Sequence, residues 1–211
     1  MEIDINDTSE VLQVMGYITP LPEPFQQRIS SQLLTETFKA KQLLLSPGDI
    51  ARRVYYIKQG FLRAYFTDPQ GRKHTTWFMG KGDVMISVYS FFTQKPAQEY
   101  IEVLQDAILQ SLTWSQLQSY YADFREGNLI GRIITEKYYI LSEQRSIFLR
   151  TQTQEERYQQ LLQKHPDIHQ LTTVDNIASY LAISRETLSR IRNKTIKKQI
   201  NHPTQNLNPK T

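Results

Sequence analysis

Residues 171–194, LTTVDNIASYLAISRETLSRIRNK, constrain the fold more than any other stretch of this chain. Their apolar residues recur at helical spacing within two short segments. These residues are Val174, Ile177, Ala178, Leu181, Leu188 and Ile191. The three residues 182–184 separate the segments, and Ser184 is a favoured N-cap. We therefore predict two short helices that pack together across a tight turn.

The ends of the first helix carry local signals of their own. The helix is predicted to begin at Thr172 or Thr173, with Asp175 as the capping partner three residues after Thr172. Ala182 occupies a turn position where glycine is common in such helix pairs, so alanine is a departure there, though a tolerated one. Ala178 is small, which allows the two helices to cross closely.

The outward face of the second helix carries polar and charged residues suited to a nucleic acid. An arginine fork matches the O6 and N7 acceptors of guanine, and a glutamate can accept from the N4 amino group of cytosine. The predicted base-reading residues are Arg185, Glu186, Ser189 and Arg190. The predicted phosphate contacts are Thr173, Ser184, Arg192 and Lys194, followed by Lys197 and Lys198. The alternative is an ordinary helical hairpin with a solvated charged face.

The distribution of charge agrees with a polyanionic partner at the C-terminal end. Residues 1–149 hold 15 Lys and Arg and 16 Asp and Glu, which gives −1. Residues 150–211 hold 10 and 5, which gives +5 and accounts for the total of +4. A basic C-terminal unit on a near-neutral body suggests a polyanion partner at that end, and a solvated basic tail explains the same totals equally well.

Residues 41–112 consist of short apolar or alternating runs separated by turn signals. The runs are 42–45, 53–57, 60–66, 73–79, 99–104 and 107–112. Many short strands rich in Tyr, Phe, Ile and Val predict an antiparallel barrel or jelly roll, with a clear hairpin turn at Asp68–Gly71. Residues 84–92 could form a strand or a short helix. Before this region, residues 25–38 are predicted to form one helix.

A long helical segment follows the strands. Thr113 could cap a helix that begins at Trp114, and a longer helix is predicted from about Phe124 to Arg150. Its apolar residues form adjacent pairs seven positions apart. These are Ile133-Ile134, Ile140-Leu141 and Ile147-Phe148. Such a stripe either joins two copies of the chain or packs on its own domain. Thr153 and Glu156 then match a capping box that starts a new helix.

The predicted fold class is α+β, with an antiparallel β-roll, a long helix and a C-terminal helix-turn-helix. We predict an N-terminal helix and β-roll over 1–112, a dimerisation helix region over 113–150 and a helix-turn-helix domain over 151–198. Residues 199–211 are predicted to be disordered, and the polar, aperiodic sequence already begins at Thr195.

The segment RETLSR at 185–190, preceded by IASYLAIS, resembles the recognition motif of the Crp/Fnr superfamily of bacterial transcription regulators. The resemblance covers most of the chain and implies a cyclic-nucleotide-binding-type β-roll, a dimer helix and a winged helix-turn-helix. It also implies that Arg185, Glu186 and Arg190 read a GTGA-type half-site within a palindrome with TGTGA-like arms. The short polar sequence after Lys194 departs from the family's wing.

The same resemblance locates an effector pocket, and there the sequence departs from the pattern that binds cyclic AMP. Gly82 and Asp83 take the place of the family's glycine–glutamate pair, and no arginine lies near Ala97–Glu99. The candidate pocket residues are Gly82, Asp83, Lys95, Gln98 and Glu99. A carboxylate at Glu99 would repel a phosphate, and a lysine lacks the bidentate fork of arginine. We predict that cyclic AMP does not bind tightly, and no cofactor is predicted.

An enzyme is disfavoured. The chain has no cysteine, and His74 is the only histidine among the predicted strands, where a cupin-type metal site would need several ligands. The predicted partners are double-stranded DNA, a second copy of the chain and, for an activator, RNA polymerase. No apolar run predicts a membrane span, and no secretory signal is evident, so a cytoplasmic location is expected. The alternative function is a small-molecule sensor whose DNA binding requires its ligand.

Overall fold

The structure is a computed structural model that describes residues 7–201, with side chains as far as Thr195. The chain divides into two compact units between Ile147 and Phe148, just before the boundary expected near Arg150. The N-terminal unit contains a six-stranded antiparallel sheet and five helices or parts of helices, and the C-terminal unit is helical within the described residues.

The N-terminal unit begins with two helices, continues through the strands and ends in the long helix. In chain order its elements are α1 Ser9–Gly16, α2 Glu23–Gln32, β1 Leu34–Phe38, β2 Leu43–Leu45, β3 Arg53–Thr67, β4 Lys73–Gly80, β5 Val84–Met85, α3 Val88–Thr93, β6 Tyr100–Thr113, α4 Trp114–Asp123 and α5 Arg125–Thr151, whose last residues belong to the second unit. The C-terminal unit continues with α6 Gln154–Lys164, α7 Ile168–Leu171, α8 Val174–Leu181 and α9 Arg185–Asn201.

The sheet has the strand order β1-β6-β3-β4, with β2 also paired to β6 and β5 to β3. Its core is apolar, and Ile57, Leu62, Val103 and Leu109 are completely buried. The antiparallel β-roll and the α+β class that the sequence predicted are therefore confirmed. The hairpin at Asp68 is also present, because the Asp68 carboxylate accepts from the backbone amides of Gln70 at 3.0 Å and Arg72 at 2.9 Å.

Three strand or helix predictions in this unit were wrong in their boundaries. The predicted helix over 25–38 ends at Gln32, and Leu34–Phe38 instead pairs with β6 as a strand. The runs 53–57 and 60–66 form one strand, as do 99–104 and 107–112. Gly60 marks no break: its φ is +109°, and an added Cβ would lie 2.5 Å from the Cβ of Ala107. Glycine is therefore required there by a close approach of two strands.

The apolar residues of the long helix α5 lie on two different faces of the helix. Ile130 and Tyr138 pack on the N-terminal unit's own core clusters, and Ile134 joins them. By contrast, Ile140 and Ile147 have exposed fractions of 54% and 57%. One face of the helix thus covers the unit's own core, while the other is presented to solvent.

Helix caps account for the starts of two further helices. The Thr113 side chain accepts from Gln116 N, and Thr153 accepts from Glu156 N, each in a complete capping box. Both starts were predicted from the sequence and are confirmed. At the other end of the chain, α9 continues through Thr195 to Asn201, so the prediction of aperiodic structure from Thr195 was wrong as far as the structure describes the chain.

Within residues 7–201 no strand follows Thr113, so the wing implied by the family resemblance is not formed in that range. The predicted disordered tail, 199–211, falls mostly outside the described residues. No helix among the described residues is long and apolar enough to span a membrane.

Candidate nucleic-acid interface

Helix α8 begins where the sequence predicted, but its cap uses a different partner. The Thr173 hydroxyl accepts from the backbone amide of Asn176 at 3.3 Å, and the Asn176 side chain donates to Thr172 at 2.9 Å. Asp175 was predicted to act as the capping partner, and this was wrong: its side chain is exposed and lies beside Arg185 instead. The side-chain amide of Asn176 provides the second bond of this cap, and Asp175 is left available for an ion pair.

The turn between α8 and α9 depends on one left-handed residue. Ala182 has φ +53° and ψ +48°, and its amide bonds to the Ser179 carbonyl oxygen at 3.1 Å. The amide of Ile183 bonds to the carbonyl oxygen of Ala178 at 3.0 Å. Both bonds satisfy carbonyl groups at the end of α8. Alanine therefore adopts the conformation for which glycine is the usual residue.

Helix α9 begins directly after this turn. The Ser184 hydroxyl accepts from the amide of Thr187 at 3.1 Å, which confirms the predicted N-cap. Leu188 and Ile191 are buried, at 1% and 4% exposed, so they fix which face of the helix points inward. All four predicted base-reading residues are exposed on the opposite side. These are Arg185, Glu186, Ser189 and Arg190.

The electrostatic state of Glu186 suits a hydrogen-bond acceptor. Its own backbone amide and the Ser184 hydroxyl donate to the carboxylate and hold its pKa below the ordinary value, with a smaller effect from Arg185. A glutamate in this environment is ionised at neutral pH. Glu186 therefore presents acceptor oxygens without a proton, as recognition of a cytosine amino group requires.

Two cations of this surface are paired with carboxylates of the same unit. The Arg185 guanidinium lies 3.5 Å from the Asp175 carboxylate, and the Lys194 ammonium lies 2.6 Å from the Glu155 carboxylate. Neither pair is predicted by the sequence, because the partners lie on different helices. Sequence spacing predicts contacts within one helix and carries no comparable signal between helices.

The remaining predicted phosphate contacts lie on or next to the helix pair. The hydroxyls of Thr173 and Ser184 serve as N-caps, and both residues are exposed. Arg192 is exposed, and its charge helps to lower the pKa of His169, after the larger effect of burial. The side chains of Lys197 and Lys198 lie outside the described residues.

Buried polar contacts behind the interface hold the helices together. The Arg157 guanidinium of α6 donates to the Leu181 carbonyl oxygen at 2.6 Å. The Tyr158 hydroxyl and the His169 Nε2 are 2.8 Å apart, and the two rings meet edge to face. Arg157 was not predicted from the sequence as a buried residue, because a charged residue on an amphipathic helix is ordinarily exposed.

The five candidate effector residues lie in the N-terminal unit. The Asp83 carboxylate accepts from the amide of Gly80 at 3.0 Å and so closes the turn after β4, in which Gly82 has φ +83°. Lys95 and Gln98 are exposed. Glu99 is partly buried and accepts from Ser87, and burial raises the pKa of Glu99. Ser87, only 2% exposed, is the residue of this group that sequence analysis missed.

The side chains that the structure describes contain no group of three or more His, Cys, Asp or Glu residues placed to hold a metal ion. His74 Nε2 lies 2.9 Å from the Asp68 carboxylate on the surface of the β3–β4 hairpin. On α8 and α9 the structure presents a surface of exposed polar and charged side chains.

Known proteins resemble this chain in sequence over part of the N-terminal unit and in fold over most of its length. Residues 35–124 match the cyclic nucleotide-binding domain family. The structure resembles FixK2 from Bradyrhizobium japonicum, with 19% identity, a TM-score of 0.69 and coverage of 80% of this chain and 86% of that one. A Crp/Fnr-family regulator from Eubacterium rectale gives 17% identity and a TM-score of 0.68, with 84% and 85% covered.

A third similar structure is the c-di-GMP responsive global regulator CLP from Xanthomonas campestris. It has 15% identity and a TM-score of 0.63, with 82% of this chain and 91% of that chain covered. No curated protein sequence matches the chain. At these identities the structural matches establish the fold.

The fold is thus a β-roll followed by a long helix and a C-terminal helix-turn-helix, similar to the folds of these regulators. Residues 35–124 match the cyclic nucleotide-binding domain family, and the resemblance to the Crp/Fnr regulators that RETLSR predicted is confirmed at the level of the fold.

Proposed function

We propose that this protein is a sequence-specific DNA-binding transcription regulator that acts as a homodimer on a palindrome with TGTGA-like half-sites. The observation that carries the proposal is the exposure of Arg185, Glu186 and Arg190 together on the first two turns of α9. The N-terminal part of a recognition helix is the part that contacts base edges in the major groove. These residue types supply the fork for guanine and the acceptor for cytosine.

The residues around Arg185, Glu186 and Arg190 suit contact with a phosphate backbone. The residues proposed to contact phosphates are Thr173, Ser184, Arg192 and Lys194. Hydroxyls and cations of this kind fix the position of a protein on DNA without specifying its sequence. Ser189 lies between the readers on the same exposed face and is proposed as a fourth contact to a base edge.

The exposed side of α5 supports the homodimer. Ile133, Ile140 and Ile147 recur every seven residues, which is the repeat of helices that pair along their length. Ile140 and Ile147 are more than half exposed, whereas Ile130 and Tyr138 on the same helix already pack on the protein's own core. Burial of large apolar side chains in a second copy removes this area from water. Two recognition helices would then enter successive major grooves about 34 Å apart.

The candidate effector residues do not suit a cyclic phosphate. The Asp83 carboxylate already accepts a hydrogen bond from the Gly80 amide within the turn. The partly buried carboxyl of Glu99, whether ionised or protonated, is not the cation that a phosphate needs. Lys95 is the only cation among the five candidates, and it is exposed. We propose that cyclic AMP is not the effector and assign no cofactor and no enzymatic activity. As a regulator, the protein would act in the cytoplasm, and as an activator it would contact RNA polymerase.

A second candidate function is a sensor that binds DNA only with a small molecule bound. The match of residues 35–124 to the cyclic nucleotide-binding domain family favours it. The two candidates differ in one observable property, which is whether the purified protein without added nucleotide binds a palindromic duplex.

The test is fluorescence anisotropy at fixed salt with a duplex that carries two TGTGA arms and a duplex in which both arms are scrambled. We expect tighter binding to the first duplex without any added nucleotide. Arg185→Ala and Arg190→Ala should each weaken binding to the TGTGA duplex by about 1–3 kcal/mol. Equal losses on both duplexes would show that these arginines contact phosphate only.

Arg72→Ala is the matched control, because it removes an exposed arginine from the β3–β4 hairpin of the N-terminal unit and leaves the helix pair unchanged. This variant should bind both duplexes as the unsubstituted protein does. Binding that appears only after a cyclic nucleotide is added would favour the sensor, and equal binding to the two duplexes by the unsubstituted protein would contradict the proposal.

A further inference from the structure

A carboxylate lies beside the first residue of the recognition helix. Asp175, in the first turn of α8, is 3.5 Å from the guanidinium of Arg185, in the first turn of α9. Both side chains are about two-thirds exposed, at 68% and 66%, so the pair lies on the surface that would meet DNA. Asp175 is also two residues beyond Thr173, a proposed phosphate contact.

We propose that Asp175 is a positioning residue that directs Arg185 toward base edges and away from phosphates, and so sets the ratio of specific to non-specific DNA binding. The inference rests on the proposed function and adds to it a residue that makes no contact with a base. Its basis is the geometry of the ion pair together with the number of donors that a guanidinium carries.

A guanidinium has five N–H donors in a planar fork. A bidentate contact with guanine uses two of them, so a third can remain directed at a carboxylate. In a specific complex, Arg185 can therefore contact guanine and keep Asp175 as its partner. The pair limits the orientations that the side chain samples before binding, which reduces the entropy that is lost when the contact forms.

In a non-specific complex, Arg185 and Asp175 would make different contacts. There the affinity comes from cations that neutralise phosphates. For Arg185 to contact a phosphate it must leave Asp175, and the phosphate then lies near an unpaired carboxylate. Like charges repel, so Asp175 weakens this mode of binding more than the specific one.

The second ion pair of the unit provides an internal comparison. Lys194 is paired with Glu155 at 2.6 Å and is a proposed phosphate contact, with no part in base recognition. Glu155 therefore competes with phosphates in specific and non-specific complexes alike. Removal of either carboxylate changes the net charge by the same amount. Only the removal of Asp175 should change the ratio of specific to non-specific binding.

The experiment measures the affinity of Asp175→Asn and Glu155→Gln for the TGTGA and scrambled duplexes at one salt concentration. Asp175→Asn should strengthen binding to scrambled DNA by up to about fivefold, the range of one exposed ion pair, without strengthening binding to the TGTGA duplex. The specificity ratio should fall by the same factor. Glu155→Gln should strengthen binding to both duplexes and leave the ratio unchanged.

A third measurement separates positioning from a general effect of charge. In a protein that already carries Arg185→Ala, Asp175→Asn should leave the ratio unchanged, because the side chain that Asp175 positions is missing. A ratio that falls equally with and without Arg185 would overturn the inference, as would an equal gain on both duplexes in Asp175→Asn. If the unsubstituted protein shows no preference for TGTGA arms, the proposed function fails together with the inference.

Discussion

The guanidinium of Arg157 in α6 donates a hydrogen bond of 2.6 Å to the carbonyl oxygen of Leu181, the last residue of α8. Arg157 is only 8% exposed, so this bond forms in the interior of the C-terminal unit. The carbonyl groups at a helix end lack partners within the helix. Arg157 supplies one, directly before the left-handed residue Ala182, and so connects α6 to the turn that positions the recognition helix.

Replacement of Arg157 by methionine keeps much of the side-chain volume and removes the donor. We expect the free energy of unfolding of the C-terminal unit to fall by about 1.5–3 kcal/mol, the range for a lost hydrogen bond to a charged group. Urea unfolding of the full chain followed by circular dichroism measures this loss. Gln160→Met, at an exposed position of the same helix, is the control and should change the free energy little. A similar loss in both variants would contradict the role given to Arg157.

The strained turn residue offers a substitution that should stabilise the protein. Ala182 has φ +53°, a conformation that costs an L-residue roughly 1–2 kcal/mol. Glycine removes this cost but adds about 0.4–1 kcal/mol of entropy to the unfolded chain. Ala182→Gly should therefore raise the free energy of unfolding by about 0.5–1 kcal/mol. Ala178→Gly, inside α8, should lower it by about 1 kcal/mol, so a loss in both variants would contradict the assignment.

Local signals explain why the helix pair could be predicted in detail from the sequence. The caps at Thr173 and Ser184 involve residues three positions apart, and the turn needs only one left-handed residue. Contacts of such short range can be predicted from the sequence alone, because both partners lie close together in it. The same holds for the capping boxes at Thr113 and Thr153.

Contacts between distant segments explain what the sequence could not predict. Leu34–Phe38 has a helix-like pattern, but pairing with β6 makes it a strand, since tertiary contacts override weak local preference. In the sequence, Gly60 indicates a break between two strands. In the fold it lies within one strand, where Ala107 of β6 lies against it. The ion pair of Asp175 with Arg185 and the bond from Arg157 to Leu181 join different helices, so no spacing within one helix indicates them.

The exposed apolar residues on α5 predict the effect of a charge introduced into the proposed dimer interface. Ile140 is 54% exposed, and in a homodimer it would lie against the second copy. Ile140→Asp should convert the dimer to a monomer, because a carboxylate in an apolar interface has no partner and is costly to desolvate. Sedimentation equilibrium measures the change in mass, and binding to the TGTGA duplex should weaken with it.

Thr135→Asp is the control for the introduced charge, because Thr135 is exposed and lies off the stripe on the same helix. This variant should remain dimeric and bind DNA normally. A monomeric unsubstituted protein, or an Ile140→Asp protein that stays dimeric, would exclude α5 as the dimer interface.

The candidate effector pocket predicts weak binding of cyclic AMP. A cyclic phosphate needs a cation within reach, and the pocket candidates supply the carboxyl of Glu99 and an exposed lysine. Isothermal titration calorimetry with cyclic AMP should show no binding at micromolar concentrations. A micromolar or tighter dissociation constant would mean that other residues hold the phosphate, and it would favour the second candidate function.

The partly buried carboxyl of Glu99 should make the stability of the protein depend on pH. Burial raises the pKa of Glu99 in the folded protein above its value in the unfolded chain, although the hydrogen bond from Ser87 opposes this. The folded state therefore holds the proton more strongly. This contribution to stability is complete below the ordinary glutamate pKa of about 4.3 and is lost as pH rises through the raised pKa.

Glu99→Gln removes the ionisation and keeps the shape of the side chain. The free energy of unfolding of this variant minus that of the unsubstituted protein should therefore be larger at pH 7.5 than at pH 4, where the Glu99 carboxyl is mostly protonated. Urea unfolding at the two pH values measures the difference. Glu136→Gln, at an exposed position of α5, should show no such increase toward pH 7.5. An equal effect of Glu99→Gln at both pH values would show that the Glu99 carboxyl is not desolvated in the folded protein.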